Sequence, residues 1–349
     1  MNIMSTTNPY IEDIQQSLKL LNLTSLNGCN ILITGATGLI GGCLVDFLMT
    51  NPQHQYHVYA LGRNEERAHK RFLSYWHEAD FHFIKHDISE PLASDIRFDY
   101  IIHAASNASP NFFKEKPVEV IKSNIVGVEH LMEHGLHHGM RRILFVSSGE
   151  IYGEGNGREF SETDSGYVDC ATSRACYPSS KRAAETLCVS YAAEYGADVV
   201  IARLCHTYGP YFTESDNRVY AQFLRNLLAG EDIILKSRGE QYRSWLYVVD
   251  CAQALLTILT KGEKGQAYNV ADEQSNVTIR HLAELLAETE GRKVVFDIDE
   301  QTGNTTPITR ATFNTQKLES LGWKPLTPLA TGLTHTLVAQ RLTQTGEAR

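Results

Sequence analysis

The 349-residue sequence predicts an α/β protein with a doubly wound parallel sheet and a smaller, interleaved α/β lobe. Three observations predict this class. Apolar runs of strand length alternate with segments of helical periodicity. A glycine-rich turn at 34–41 directly follows the first apolar run, and the alternation weakens after Gly209-Pro210. Repeated β–α alternation implies parallel strands covered by helices on both faces.

The elements follow in chain order. Ile11, Ile14, Leu18 and Leu21 form one apolar helix face, which we expect to pack on its own domain or on a partner subunit. The predicted strands are 31–33, 58–61, 81–84, 100–105, 143–146 and 199–202. The predicted helices are 39–49, 118–138, 177–195, 219–228 and 279–289.

Composition excludes several classes of function. The net charge is −9 with no basic tract, so we expect no nucleic-acid partner. The seven cysteines are odd in number and form no C-x-x-C pair, which indicates free thiols in a reducing, cytoplasmic compartment and no metal site. No apolar run reaches membrane-spanning length and no secretory signal is evident, so we expect no membrane partner.

The glycine turn predicts a dinucleotide site. Its spacing is G-x-x-G-x-x-G between a strand and a helix. Glycine permits a tight turn and close approach of the backbone to a pyrophosphate, and the helix N-terminus supplies free N–H groups. The residues predicted to contact the cofactor there are Gly35, Thr37, Gly38, Leu39, Ile40 and Gly41.

The sequence leaves the choice of nicotinamide cofactor open. The second strand ends in Leu61-Gly62-Arg63-Asn64, without the acidic residue that favours NAD. Arg63 can face a 2′-phosphate or stack on the adenine, so NADP stays possible beside NAD. Asp87 and Ile88 follow the third strand and are placed to meet the adenine, although Asp87 can equally cap its own loop.

A Tyr and a Lys four residues apart, Tyr177 and Lys181, indicate hydride chemistry. Positions i and i+4 share one face of a helix. A free Tyr has a pKa of about 10, and a neighbouring ammonium favours its phenolate. Lys181 can also hold the nicotinamide ribose, and Ser148 can donate to the reacting oxygen. The alternative is a surface pair on an amphipathic helix.

With these motifs in order, the chain resembles the extended short-chain dehydrogenase/reductases, the NAD-dependent epimerase/dehydratase family of nucleotide-sugar enzymes. The resemblance covers about residues 29–330. Besides the glycine turn and the Tyr-Lys pair, it rests on 103–106, 147–153, Arg203 with 208–210, 243–250 and 321–323. It implies a Rossmann fold, a homodimer and further cofactor contacts from Ala104, Ala105, Ser106 and Asn124.

The resemblance also implies the first chemical step and a set of substrate contacts. Tyr177 removes a proton from a sugar hydroxyl, usually at C4, while a hydride passes to the bound nicotinamide and normally returns. The substrate is then a nucleotide-diphosphate sugar. Its expected ligands are Ser106, Ser148, His206, Arg218 and Arg243, where Arg243 matches the family's pyrophosphate arginine and His206 stands where an Asn is common.

Glu150 discriminates between the possible second steps. The resemblance implies Thr-Asp-Glu at the positions of the family's dehydratases that match 148–150, whereas this chain has Ser148-Gly149-Glu150. The UDP-glucuronate decarboxylases are expected to have Ser/Thr-x-Glu at the same positions, as this chain does. They are also similar to this chain at 103–112, 173–177 and 216–219. We therefore expect decarboxylation, with 4-epimerisation and then dehydration as alternatives. A structural Glu150 paired with a loop cation, and a non-catalytic cofactor-binding scaffold, stay open.

The same reasoning divides the chain. Residues 1–27 are an N-terminal helical extension, and 28–207 are the dinucleotide-binding domain, to which 242–275 are expected to return. Residues 208–241 and 276–340 form the nucleotide-sugar-binding lobe, and 341–349 are a polar tail.

Overall fold

The computed structural model describes residues 8–298 and 309–345. The strands are β1 (Asn30–Thr34), β2 (His57–Gly62), β3 (Phe81–Lys85), β4 (Tyr100–His103), β5 (Arg142–Ser148), β6 (Val199–Leu204), β7 (His206–Tyr208), β8 (Ile233–Leu235), β9 (Tyr242–Tyr247), β10 (Ala267–Val270), β11 (Asn276–Thr278), β12 (Val294–Phe296) and β13 (Arg310–Ala311). The helices are α1 (Pro9–Leu18), α2 (Leu39–Thr50), α3 (Glu65–Arg71), α4 (Pro110–Glu115), α5 (Pro117–His138), α6 (Cys176–Glu194), α7 (Val219–Leu228), α8 (Val248–Lys261), α9 (Ile279–Thr289), α10 (Gln316–Glu319) and α11 (Leu329–Thr345).

The main sheet has seven parallel strands in the order β10-β6-β5-β4-β1-β2-β3. The chain runs outward from β1 through β2 to β3 and then crosses back to β4 on the other side of β1. This reversal opens a crevice at the carboxyl ends of β1 and β4, where such folds bind ligands. The doubly wound parallel sheet confirms the predicted fold class.

Helices cover both faces of this sheet. Successive strand residues point to opposite faces, and β1 shows the consequence. Ile31 and Ile33 belong to the larger core cluster, whereas Leu32 belongs to a second cluster on the other face. Helices α2 and α8 pack together on the first side, and α5 and α6 pack together on the second. Both faces of the sheet are buried under helices, which explains the continuous apolar runs of the central strands.

Two strand predictions need correction. The fourth strand ends at His103, not at residue 105, because Ala105 N–H donates to the Thr34 side chain instead of a ladder carbonyl. Strand β10, which forms one edge of the main sheet, was not predicted. Its apolar run is interrupted by Asn269, which is fully buried because its side chain bonds to Tyr152, Phe160 and Asn314.

The N-terminal helix packs on its own chain. It contacts α2, α8 and α11, and its Tyr10 and Ile14 are fully buried. The Tyr10 hydroxyl donates to Asp46 at 2.7 Å. Pro9 at the start and the Asn8 side chain, which accepts from Tyr10 N–H, fix where the helix begins.

The smaller lobe contains two sheets. In the first, β9 lies between β11 and β13 and also pairs with β7. In the second, β8 pairs with β12 in parallel. Of residues 242–275, α8 and β10 lie on the main sheet, whereas β9 is the centre of the lobe's own sheet. Parts of the proposed division, residues 1–7, 299–308 and 346–349, lie outside the described residues.

Three bulk properties bear on function. Among the helices that the structure describes, none is long and apolar enough to cross a membrane. Within the same residues, no group of three or more His, Cys, Asp or Glu side chains is arranged to hold a metal ion. All seven cysteines are free thiols, and only Cys170 is exposed.

Candidate active site

The glycine turn after β1 is shaped by close backbone packing. Gly35 has a φ of +66°, and a Cβ there would lie 2.7 Å from the Cα of Ala105. A Cβ on Gly41 would overlap the carbonyl of Gly35, and Gly38 is the N-cap of α2. The turn therefore leaves the first N–H groups of α2 facing the crevice between β1 and β4, where they can bind an anion.

The opposite wall of the crevice is the segment after β4. Thr34 links it to the turn, because its Oγ1 lies 2.7 Å from Nδ1 of His103 and accepts from Ala105 N–H at 3.2 Å. Ser106 Oγ and Asn124 Oδ1 are buried, and neither has a hydrogen-bond partner among the residues described. Unsatisfied buried polar atoms are rare in native proteins and indicate a bound group. The turn and these two atoms fit a dinucleotide.

Arg63 lies between two carboxylates. Its Nη1 is 2.7 Å from Glu119 and 3.6 Å from Asp87. Asp87 also accepts from the backbone and side chain of Ser89, so it caps its own loop as well as facing Arg63. Ile88 is buried and would contact any side chain added to Gly127. Sequence reasoning missed Glu119, which neutralises the cation on which the NADP alternative depends.

Tyr177 lies in the first turn of α6 and is buried against Phe113. The two rings are stacked with centroids 4.9 Å apart. Burial and, after it, the Glu150 carboxylate raise the pKa of Tyr177 to about 12, while a hydrogen bond with Ser148 opposes the shift. The hydroxyl is thus within reach of the serine that was predicted to assist it. Phe113 was not foreseen.

Lys181 lies one turn further along the same face of α6. Its Nζ is 5.8 Å from the centre of the Tyr177 ring and donates to the carbonyl of Val146 at 2.8 Å. Burial lowers the pKa of Lys181 to about 7, although the Glu185 carboxylate opposes the shift. Burial thus favours the neutral amine of Lys181, whereas Glu185 favours the charged ammonium.

The segment after β5 begins with a 3₁₀ turn, Gly149–Tyr152, capped by Ser148. Ser148 Oγ accepts from Glu150 N–H at 3.2 Å. The Glu150 carboxylate accepts from Nη2 of Arg174 with both oxygens, at 2.8 and 3.0 Å. Glu150 thus has the loop cation that was considered as an alternative role. The ring of Phe313 fills the position where a side chain on Gly149 would stand.

Three of the predicted substrate ligands, Arg243, Arg218 and His206, lie near one another, since both arginines lower the pKa of His206. Arg243 is buried and donates to the carbonyls of Tyr242 and Thr309, at 3.0 and 3.1 Å. Burial lowers the pKa of Arg243 to about 10, with Glu150 opposing the shift. Arg218 caps α7 and forms a two-point ion pair with Asp216.

His206 completes this group at the start of β7. Its ring lies 5.2 Å from that of Trp245. Although the residue is partly open to solvent, desolvation lowers the pKa of the ring, and Arg243 and Arg218 lower it further. The neutral form of His206, which can both donate and accept a hydrogen bond, is therefore favoured near these two arginines.

A buried ion pair supports the floor of the site. Arg203 pairs with Glu185 at 2.7 Å and also donates to the Tyr152 hydroxyl at 3.0 Å. Glu185 in turn accepts from Ser147 Oγ at 2.5 Å. This network fixes β5, β6 and α6 relative to one another. Sequence reasoning noted Arg203 as a motif residue but missed Glu185 as its partner.

The fold and the glycine turn are those of a dinucleotide-binding protein, and Tyr177, Lys181 and Ser148 lie together as the sequence predicted for a hydride-transfer site. A family model, the NAD dependent epimerase/dehydratase family, matches residues 31–271. The chain belongs to this family, as its motifs predicted. Membership of an NAD-dependent family also confirms NAD as the predicted cofactor, and it makes the chain an enzyme of the nucleotide-sugar epimerase/dehydratase type.

Characterised relatives cover most of the chain. UDP-glucuronic acid decarboxylase 6 of Arabidopsis thaliana is 34% identical over 304 residues, which are 87% of this chain and 86% of that protein. UDP-glucuronic acid decarboxylase 1 of Xenopus tropicalis is 32% identical over 309 residues, 88% of this chain and 71% of that protein.

Solved structures share the fold. A UDP-glucose 4-epimerase from Thermotoga maritima superposes with a TM-score of 0.78 at 25% identity, covering 90% of this chain and 99% of its own. A dTDP-glucose 4,6-dehydratase from Streptomyces venezuelae superposes with a TM-score of 0.80 at 24% identity, covering 91% and 98%. The fold is thus common to enzymes with different second steps.

Proposed function

We propose that this chain is a UDP-glucuronate decarboxylase. The observation that carries the proposal is the arrangement at 148–150. Glu150 is present. Position 149, where the dehydratase pattern Thr-Asp-Glu has an Asp, is a glycine, and the ring of Phe313 fills the space of its side chain. The UDP-glucuronic acid decarboxylases at 34% and 32% identity support the same reading over nearly nine-tenths of the chain.

The site residues have defined roles in this proposal. The chemistry that NAD supplies is acceptance of a hydride from C4 of the sugar and its later return. Tyr177, as its phenolate, accepts the proton of the C4 hydroxyl, and Ser148 donates to the same oxygen. Lys181 favours the phenolate. Gly35, Gly38, Gly41 and Asn124 belong to the surface that holds the dinucleotide.

A ketone at C4 turns the C5 carboxylate into that of a β-keto acid. The bond between C5 and C6 then breaks, its electron pair moves toward the C4 oxygen, and carbon dioxide leaves. A proton adds to C5, and C4 is reduced again as Tyr177 returns its proton to the oxygen. The net change is loss of carbon dioxide and gain of one proton, so the cofactor is regenerated.

Dehydration needs an acid to protonate the departing hydroxyl at C6. Residue 149 has no side chain, and Phe313 fills the space that one would need. Epimerisation needs no second acid, so it is the remaining alternative. The diphosphate is assigned to Arg243 and Arg218, because a cationic guanidinium donates strong hydrogen bonds to phosphate oxygens.

The test is product analysis by mass spectrometry. Purified enzyme is incubated separately with UDP-glucuronate, UDP-glucose, UDP-N-acetylglucosamine and dTDP-glucose. We expect UDP-glucuronate alone to lose the mass of carbon dioxide. Loss of the mass of water from any substrate, or an unchanged mass with a new retention time, contradicts decarboxylation. A Tyr177→Phe variant with full activity contradicts the mechanism.

Three further expectations belong to this proposal. Exposed apolar side chains on α5 and α6, among them Ile121 and Val189, support a homodimer, which size-exclusion chromatography with light scattering tests. The division into a dinucleotide-binding domain and a nucleotide-sugar lobe stays a prediction. The cytoplasmic location stays a prediction from the cysteine pattern.

A further inference from the structure

The ring of Phe113 lies next to both Arg174 and Tyr177. Arg174 belongs to the 3₁₀ turn Ser173–Ala175, directly before α6. Its guanidinium carbon lies 4.8 Å from the centre of the Phe113 ring, and that ring is stacked on Tyr177. Through Phe113, the guanidinium is therefore held near Tyr177. Its charge also lowers the pKa of Tyr177.

Arg174 forms an ion pair with Glu150 through only one of its guanidinium nitrogens, Nη2, among the contacts that the described residues make. Both carboxylate oxygens accept from Nη2. For Nε and Nη1 the structure shows no acceptor within residues 8–298 and 309–345. More than half of the Arg174 side chain, 55%, is exposed. An exposed pair of this kind contributes little to stability, so exchange of its partner is easy.

The two other arginines of the cleft are anchored more firmly. Arg218 donates through Nε and Nη2 to Asp216 and also to the hydroxyl of Tyr220. Arg243 is 5% exposed and donates to two backbone carbonyls. Arg174 can thus change its partner without leaving a buried carboxylate unpaired, because the Glu150 side chain is 32% exposed.

We propose that Arg174 recognises the C5 carboxylate of the substrate by giving up Glu150 for it. This inference rests on the proposed decarboxylase function and names the residue that selects its acidic substrate. A second carboxylate placed beside Glu150 is repelled unless a cation neutralises one of the two charges. Once it has released Glu150, the planar guanidinium of Arg174 can donate two hydrogen bonds to the substrate carboxylate.

The test compares two ligands that differ at one group. UDP-glucuronate has a carboxylate where UDP-glucose has a hydroxymethyl group. Both are titrated calorimetrically into NAD-loaded enzyme that carries Tyr177→Phe, so that neither ligand is converted. We expect Arg174→Gln to weaken binding of UDP-glucuronate by about ten- to a hundredfold, as for the loss of a hydrogen bond to a charged group. Binding of UDP-glucose changes by less than about threefold, which also shows that the variant is folded.

Two further variants sharpen the result. Glu150→Gln removes the competing carboxylate, so it tightens binding of UDP-glucuronate but not of UDP-glucose. Arg310→Gln is the matched control, since Arg310 is another exposed arginine, on the strand that pairs with β9 beside Arg243. It leaves the ratio of the two affinities unchanged.

Several results overturn the inference. They are an equal loss for both ligands in Arg174→Gln, no loss for either, or loss of discrimination in Arg310→Gln alone. Failure of the proposed function gives a different result, because the wild-type enzyme then releases no carbon dioxide from UDP-glucuronate whatever residue 174 is.

Discussion

The ring of Phe313 occupies the space that a side chain on Gly149 would need. The ring can therefore pack there only because residue 149 is a glycine. Phe313 is 2% exposed and packs with Tyr152 and Phe160. Backbone hydrogen bonds join Phe160 to both neighbours of Phe313, at 2.8 and 2.9 Å, so the ring cannot easily withdraw. The contact thus ties the smaller lobe to the turn that carries Glu150.

The first prediction concerns this contact. Gly149→Ala is expected to lower the free energy of unfolding by about 1–3 kcal/mol, because the new methyl group overpacks against Phe313. In a Phe313→Ala background the same change has room, so its cost falls to nearly zero. Urea unfolding of the two single variants and the double variant measures the coupling. Additive effects contradict this account.

The second prediction concerns Ser148 and the pH dependence of the reaction. In the free enzyme the Ser148 hydroxyl donates to the phenolate and so lowers the pKa of Tyr177. Ser148→Ala removes that effect, so the rising limb of the kcat/KM profile, which reports on the free enzyme, shifts to higher pH. At neutral pH we expect kcat to fall by about a hundredfold or more. Ser148→Thr keeps the hydroxyl and keeps the limb in place. An unshifted limb in Ser148→Ala is incompatible with this role.

How far the sequence could predict the site depends on how local each signal is. The glycine turn, the serine at the end of β5 and the i,i+4 pair of Tyr177 and Lys181 are each set by a few neighbouring residues, and all were found. Arg63 and Glu119 are 56 residues apart along the chain, so only the folded sheet brings them together. The contact of Phe313 with Gly149 needs the smaller lobe to be in place.

The same limit applies to the fold. The six strands with continuous apolar runs were predicted because burial on both faces leaves a simple pattern. Asn269 broke that pattern in β10, since its buried amide is satisfied by partners far away in sequence. Residues 242–275 were expected to return to the dinucleotide-binding domain, and within them 242–247 form β9, which pairs with β7, β11 and β13. Strand partners depend on tertiary contacts, which a single sequence does not show.

The third prediction concerns the choice of cofactor. Glu119 and Asp87 hold Arg63 and add negative charge where a 2′-phosphate would lie. The double variant Asp87→Asn with Glu119→Gln frees the guanidinium, so the affinity for NADP rises relative to that for NAD. We expect a change in this ratio of roughly three- to tenfold, as for partly exposed charge pairs.

Fluorescence titration with both oxidised cofactors measures that ratio. Glu129→Gln makes the same chemical change at an exposed position further along α5 and serves as the control. If the double variant and the control give the same ratio as the wild type, the two acids do not determine the preference for NAD.

The fourth prediction concerns Lys181 and stability. Burial lowers its pKa in the folded protein from 10.5 to about 7. Between these two pH values the unfolded chain binds a proton that the folded chain does not, so the free energy of unfolding rises with pH. The cost of burying the ammonium is fully present below pH of about 7 and disappears as pH approaches 10.5.

Lys181→Met removes this titration, so the rise in stability between those pH values becomes smaller by an amount on the order of several kcal/mol. We also expect the variant to lose activity, because in the proposed mechanism the ammonium of Lys181 favours the Tyr177 phenolate. Lys264→Met, at an exposed lysine, keeps the slope of the wild type. Urea unfolding of cofactor-free protein across this pH range measures the difference. Parallel curves for Lys181→Met and the wild type mean that Lys181 stays protonated in the folded protein, and the expected depression of its pKa is then wrong.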